Sequence, residues 1–121
     1  MRKTSEIIWQ DAQHQVLFEI LDLVKSSDEG SNVLFRLRDY TENHFLLEER
    51  YMAVLQYPGQ AAHIQAHNRF RSEIYKLLEQ GVEPDVVFRE LIATFLTEWL
   101  QRHVFGIDKE LEAFILQRGV F

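Results

Sequence analysis

The chain has 121 residues, of which 46% are hydrophobic, enough to build the core of a single domain spanning residues 1–121. Its formal net charge of −6 argues against a nucleic-acid partner, because proteins that track phosphates concentrate Lys and Arg. The sequence contains no Cys, which excludes disulfides, thiolate zinc sites, iron–sulfur clusters and cysteine nucleophiles, so any bound metal must take nitrogen and oxygen ligands.

Apolar residues repeat at helical spacing in four segments, and most Gly and Pro residues lie between these segments. The first helix is predicted from about Asp11 to Lys25, with Asp11 as its N-cap, and a loop is predicted over residues 26–31. The second helix is predicted over residues 32–55, where Tyr57-Pro58-Gly59 ends it.

The third helix is predicted over residues 61–79 and ends at Gly81, and the fourth begins at Pro84 and continues to a turn at Gly106. A short helix is expected after Asp108. Four helices joined by short loops predict an all-α, antiparallel up-down-up-down bundle, in which facing side chains can gather around a metal in the core. The inward stripe of the fourth helix is predicted to contain Phe88, Ile92, Phe95, Trp99 and His103.

The N-terminal residues lack the apolar core of a signal peptide, and no uncharged run approaches the roughly 20 residues that span a bilayer. Even the apolar stretch over residues 88–100 is interrupted by Arg89, Glu90 and Glu98. We therefore expect a cytoplasmic protein that does not insert into a membrane.

Five histidines and two acidic residues fall on the apolar faces of these segments or at their ends. A single buried His is usually a hydrogen-bonded core residue, but five imidazoles and two carboxylates in one core would cost several kcal/mol each without partners. His44 and Glu48 are four residues apart, as are His63 and His67. Residues so spaced project from one helix face, so each pair can chelate a metal ion. The pattern therefore predicts a metal cluster formed by His14, His44, Glu48, His63, His67, His103 and Asp108.

The sequence resembles the bacterial hemerythrin family in four motifs: DAQHQVLF at 11–18, HFLLEERYM at 44–52, QYPGQAAHIQAH at 56–67 and WLQRHVFGID at 99–108. The resemblance covers nearly the whole chain, and all seven ligand positions carry the expected residue types. It implies two iron ions joined by an oxo or hydroxo bridge. The implied ligands are His63, His67 and His103 on one iron, His14 and His44 on the other, and Glu48 and Asp108 on both.

The same resemblance implies that dioxygen binds reversibly, as a hydroperoxide, at the open position of the iron that has two histidines. Trp99, Leu100 and Val104 match the family's pocket wall, although such residues are equally typical of ordinary helix core. Glu49 also matches the family motif and is expected to face solvent.

We therefore expect a protein that stores, delivers or senses dioxygen and is not an enzyme. An alternative is the N-terminal oxygen- or redox-sensing domain of a larger bacterial signalling protein, such as a diguanylate cyclase or chemoreceptor, with a covalently linked output domain. A diiron enzyme would use paired Glu-x-x-His motifs and more carboxylates, and structural zinc is usually four-coordinate. The predicted ligand set favours neither of these last two.

Overall fold

A computed structural model of the protein describes residues 3–26, 30–79 and 86–119. These residues contain helices and no strand, so the predicted all-α class is confirmed. The elements in chain order are α1 (Ile8–Ser26), α2 (Gly30–Leu55), α3 (Gln60–Glu79), α4 (Val86–Arg102), a π-helical segment (His103–Ile107) and α5 (Asp108–Arg118). Among the described helices, none combines the length and the apolarity that crossing a membrane requires.

The packing of the helices is that of a four-helix bundle. Helix α1 packs against α2 and α4, and α2 packs against α3. The buried histidines lie near the starts of α1 and α3, late in α2 and directly after α4, yet they meet in one cluster. Neighbouring helices must therefore run in opposite directions, which confirms the predicted up-down-up-down arrangement.

Two hydrophobic clusters enclose a polar layer along the bundle. The larger cluster contains residues of α1, α2, α3 and α4, among them Leu17, Phe45 and Leu100. The smaller one joins the segment before α1 to the end of α2 and to α5 through Ile7, Met52 and other buried side chains. Along α1 and α2, His14 and Glu48 lie between residues of the smaller cluster and residues of the larger one, so apolar side chains shield the polar layer at both ends.

The helix boundaries differ from the predicted ones at several points. Helix α1 begins at Ile8, so Asp11 is not its N-cap but lies in the first turn, where its N–H donates to the Ile7 carbonyl. Residues 26, 30 and 31 are helical instead of forming a loop. Residues 27–29, and the boundaries predicted at Gly81 and Pro84, lie outside the described residues.

The inward stripe of α4 also differs from the predicted one. Phe95 is 53% exposed, whereas Ile92, Ala93 and Leu96 are buried. The buried face of α4, which packs against α1, is therefore rotated towards Ala93. The side chain of Phe88 lies outside the described residues.

The connection between α2 and α3 is compact. Gln56 adopts a φ of 54°, the left-handed conformation that ends many helices, and the Tyr57 N–H donates to the Met52 carbonyl at 2.9 Å. A Cβ at position 59 would lie 3.0 Å from the Tyr57 ring, so Gly59 allows the chain to turn closely around that ring. The turn brings the start of α3 beside the end of α2, where the ligand candidates of both helices lie.

Candidate metal centre

The π-helical segment brings the last two ligand candidates onto one face. The Asp108 N–H donates to the His103 carbonyl, five residues earlier. In a regular α-helix, residues five apart would point about 140° apart, because each residue turns the chain by about 100°. The wider π turn removes this offset, and His103 and Asp108 are both buried. The turn predicted at Gly106 is therefore wrong: the helix continues, widened by one residue.

Two carboxylates lie at the centre of the cluster, and each divides its oxygens between two sets of histidines. Oδ1 of Asp108 lies 2.9 Å from Nε2 of His63 and 3.1 Å from Nε2 of His103, whereas Oδ2 lies 2.9 Å from Nε2 of His14. The two carboxylate oxygens thus face opposite sides, as those of a bridging ligand do.

Glu48 divides its oxygens in the same way. Its Oε1 lies 3.1 Å from Nε2 of His67 and 3.6 Å from Nε2 of His63, whereas its Oε2 lies 3.5 Å from Nε2 of His44. We call His63, His67 and His103 the three-histidine group, and His14 and His44 the two-histidine group. Each group, together with both carboxylates, supplies ligand atoms that all lie within 4.8 Å of one another.

The atoms of the cluster fit metal ligation better than hydrogen bonding. In the described part of the chain, Nε2 of all five histidines, Oε1 of Glu48 and both oxygens of Asp108 are buried without an aligned hydrogen-bond partner, despite the short distances above. Metal–ligand bonds of about 2.1 Å at right angles place neighbouring ligand atoms about 3 Å apart. Because buried polar atoms are costly unless something compensates them, the residues present fit a pair of cations.

Three of the histidines are oriented by hydrogen bonds at Nδ1, the ring nitrogen that faces away from Glu48 and Asp108. Nδ1 of His14 lies 3.0 Å from Oγ1 of Thr4, and Nδ1 of His44 pairs with Oε1 of Gln13. Nδ1 of His67 lies 2.8 Å from Oε2 of Glu49. Such contacts favour the tautomer with the proton on Nδ1, which leaves the Nε2 lone pair free to bind a metal.

A segment before α1 covers the two-histidine group. Thr4 and Ser5 are each 2% exposed, and Asp11 accepts hydrogen bonds from the Thr4 N–H at 2.7 Å and from its hydroxyl at 2.8 Å. Ser5 donates to Oε1 of Gln10, whose Nε2 donates to Oε2 of Glu48 at 2.8 Å. The residues before the first ligand helix therefore form part of the site.

Burial and neighbouring charges shift the pKa values of several groups of the cluster in the metal-free protein. Burial lowers the pKa of His44 to about 4. Burial also acts to lower the pKa of His63, but the carboxylates of Asp108 and Glu48 raise it to about 9. Burial would raise the pKa of both carboxylates, yet the surrounding histidines hold them below their usual range. The carboxylates are therefore ionised at neutral pH, and His63 carries a proton that a metal ion would displace.

Aromatic and apolar side chains surround the ligand candidates. Phe45 stacks on His67 with ring centroids 3.8 Å apart, and Trp99 stacks on His103 at 4.8 Å. Leu100 and Val104 are buried in the larger hydrophobic cluster, and Trp99 packs against it. The three predicted pocket residues are thus brought together, and their role in a dioxygen pocket stays a prediction.

The structure brings all seven predicted ligand residues together, but the sequence did not reveal the residues that orient them. The expectation that Glu49 faces solvent is wrong: its side chain is 17% exposed and is held at 2.9 Å by Arg71. Helical spacing contained part of this information, because Gln10 and His14 are four residues apart, as are His67 and Arg71.

Comparison with known proteins agrees with this geometry. The family profile described as "Hemerythrin HHE cation binding domain" matches residues 6–115. Among curated relatives, a bacteriohemerythrin of Clostridium acetobutylicum is 28% identical over 83% of this chain and 86% of its own length. A hemerythrin of Themiste dyscrita is 35% identical over 81% of the chain and 75% of its own length. A myohemerythrin of Riftia pachyptila is 30% identical over 81% and 76%.

The hemerythrin domain is a diiron domain, and its family comprises oxygen-binding, non-haem iron proteins. The buried cluster described above supplies imidazole and carboxylate ligands in two adjoining sets, as such a centre needs. With a matching profile over most of its length, this chain belongs to the hemerythrin family.

Proposed function

We propose that this protein binds dioxygen reversibly at a pair of iron ions and thereby stores, delivers or senses it. In this proposal the three-histidine group holds one iron, the two-histidine group holds the other, and Glu48 and Asp108 bridge them. The observation that supports it most is the division of each carboxylate between the two unequal groups of histidines.

The unequal groups give the two ions different numbers of protein ligands. With one oxygen from each carboxylate, the three-histidine group offers five donor atoms and the two-histidine group offers four. A bridging oxo or hydroxo group would complete a set of six on the first side and leave a vacancy on the second. Iron supplies the electrons and the exchangeable coordination position that dioxygen binding needs.

The side chains in and around the cluster contribute to reversible binding by excluding water and proton donors from the site. Every proposed ligand is at most 4% exposed, and Leu100 and Val104 add apolar side chains that cannot donate protons. We assign these two residues, with Trp99, to the wall of the dioxygen pocket. The two carboxylates neutralise half of the charge of two ferrous ions, which makes burial of the pair tolerable. A dry site favours release of dioxygen over its further reduction.

We infer binding rather than catalysis from the ligand set. Oxygen-activating diiron bundles use more carboxylates than the two found in this cluster among the described residues, and imidazoles are neutral ligands that leave the ions more positive. A covalently linked output domain and a cytoplasmic location stay predictions from the sequence.

The proposal is tested by visible absorption of the iron-loaded, reduced protein under argon, then in air, then again under argon. We expect a charge-transfer band that forms in air and fades when oxygen is removed. An irreversible change would instead support a redox sensor or an enzyme. A protein that binds no iron would contradict the proposal altogether.

A matched pair of variants makes the test specific. Asp108→Asn keeps the size of the side chain but removes the bridging charge, so it should lose the reversible band. Asp39→Asn makes the same chemical change at an exposed position of α2 and should keep it. Loss of the band in both variants would mean that the change in net charge, and not the bridge, is responsible.

A further inference from the structure

The two groups of histidines differ in what supports them. The Nδ1 partners of His14 and His44 are a neutral hydroxyl and a neutral amide, whereas the partner of His67 is the carboxylate of Glu49. A carboxylate that accepts a hydrogen bond from a ligating imidazole makes that imidazole a stronger donor and fixes its orientation. The three-histidine group therefore contains one ligand that is strengthened by a charge.

Glu49 is itself held in place from several directions. Its Oε2 lies 2.9 Å from Nη1 of Arg71, and Arg71 is fixed in turn by two contacts with Glu42, at 2.8 and 3.1 Å. The guanidinium also lies over the ring of Phe45, 5.2 Å from its centroid, and that ring stacks on His67. The carboxylate of Glu49 therefore lies between the imidazole of His67 and the guanidinium of Arg71. The imidazole of His67 therefore contacts both a charged side chain, Glu49, and an aromatic one, Phe45.

The opposite effect acts on the two-histidine group. The amide of Gln10 donates to Oε2 of Glu48, the oxygen that faces this group, at 2.8 Å. A hydrogen bond to a carboxylate oxygen withdraws electron density, so that this oxygen becomes a weaker ligand. Metal binding by the three-histidine group is therefore strengthened by the Glu49 carboxylate, and metal binding by the two-histidine group is weakened by the Gln10 amide.

We propose that the protein binds its two ions in a fixed order, with the three-histidine group filled first, and that Glu49 is the positioning residue that sets this order. The inference rests on the ligand set of the proposed function. It adds that the affinity of one ion depends on a residue that binds neither ion directly.

The test is a titration of the metal-free protein with Co²⁺, an air-stable probe with visible absorption, followed by calorimetry. The native chain should take up two ions in two separate steps. In Glu49→Gln, which keeps a hydrogen-bond acceptor but loses the charge, the tighter step should weaken about 10- to 100-fold. The weaker step should stay unchanged, so the two steps merge.

Glu90→Gln is the matched control, because it makes the same chemical change at an exposed position of α4. It should leave both steps as in the native chain. Thermal melting of the metal-free variants measures any general loosening of the bundle separately from the change in metal affinity.

The outcomes separate this inference from the function on which it rests. If native protein binds two Co²⁺ ions with one common affinity, or if Glu49→Gln weakens both steps equally, the proposed order is wrong while the diiron function stands. If native protein binds no Co²⁺ and no iron, the ligand set itself is wrong, and the inference falls with it.

Discussion

Nε2 of His14, in the first helix, lies 2.9 Å from Oδ2 of Asp108, the first residue of the last helix. The beginning and the end of the described chain therefore meet at the polar layer. Metal ions bound there would tie α1 to α5 as well as α2 to α3. Occupancy of the centre should consequently stabilise the whole bundle, because metal binding to the folded state adds to its free energy of unfolding.

Replacement of His63 by Ala tests this coupling. The variant should lose at least one of the two proposed ions, because His63 contacts both Glu48 and Asp108. The rise in melting temperature on adding metal should shrink accordingly. Elemental analysis and calorimetry measure the two quantities. Gln65→Ala, at an exposed position of the same helix, serves as the control. Unchanged metal content and melting in His63→Ala would contradict the assignment.

The π-helical segment gives a second prediction. Inserting one Ala after Gly106 should exceed the single extra residue that the π turn absorbs and rotate α5 by about 100°. Asp108 would then leave the cluster, and both ions should be lost. Gly106→Ala should be tolerated or slightly stabilising, by up to about 1 kcal/mol, since a Cβ there meets nothing within 4 Å. Metal content and urea unfolding of both variants give the answer, and an insertion variant that still binds two ions would refute the prediction.

The raised pKa of His63, to about 9, predicts how the stability of the metal-free protein depends on pH. A His with a raised pKa in the folded state stabilises the fold fully below its ordinary value of about 6.5. This contribution is lost as the pH rises through 9, and we expect a loss on the order of 1–3 kcal/mol. Chemical unfolding between pH 6 and 10 measures it.

His63→Gln is the reference for that experiment, because it cannot take up the proton. Its stability should change less over the same pH range, and adding metal to the native chain should also remove the dependence, since a bound ion replaces the proton. Identical pH profiles for the native chain and the variant would show that His63 does not carry the proton.

Gln10 offers a fourth prediction, concerning the segment before α1. Gln10→Met keeps the volume but removes the donor to Glu48 and the acceptor for Ser5. The metal-free protein should lose about 1.5–3 kcal/mol in its free energy of unfolding, as hydrogen bonds to buried charged groups contribute about that much. Gln117→Met, at an exposed position of α5, should change stability by less than about 0.5 kcal/mol. Equal effects in urea unfolding would argue against a structural role for Gln10.

The sequence was sufficient to predict the bundle and its seven candidate ligands because the information is local. His63 and His67 share a helix face by spacing alone, and so do His44 and Glu48. The separation of five between His103 and Asp108 indicated an irregular helix end, but the same spacing fits either a turn or a π-helical segment. The backbone hydrogen bond between them decides for the latter.

The supporting residues could not be predicted in this way, because their partners come from other helices. Glu49 follows Glu48 directly, so in an isolated helix it points about 100° away from the core. Its burial arises only because His67 and Arg71 of α3 meet it from the neighbouring helix. The exposure of Phe95 has a similar origin, since the position of α1 decides which face of α4 is covered.

The widened turn between His103 and Asp108 has a consequence for how this gene can vary. Upstream of it the helix fits the larger hydrophobic cluster, and downstream it fits the smaller one. The role of the segment therefore depends on its length more than on its residue types. Single-base changes at an exposed position such as Gly106 preserve that length, whereas the gain or loss of one codon does not. Selection should accordingly tolerate codon substitutions there and remove in-frame insertions.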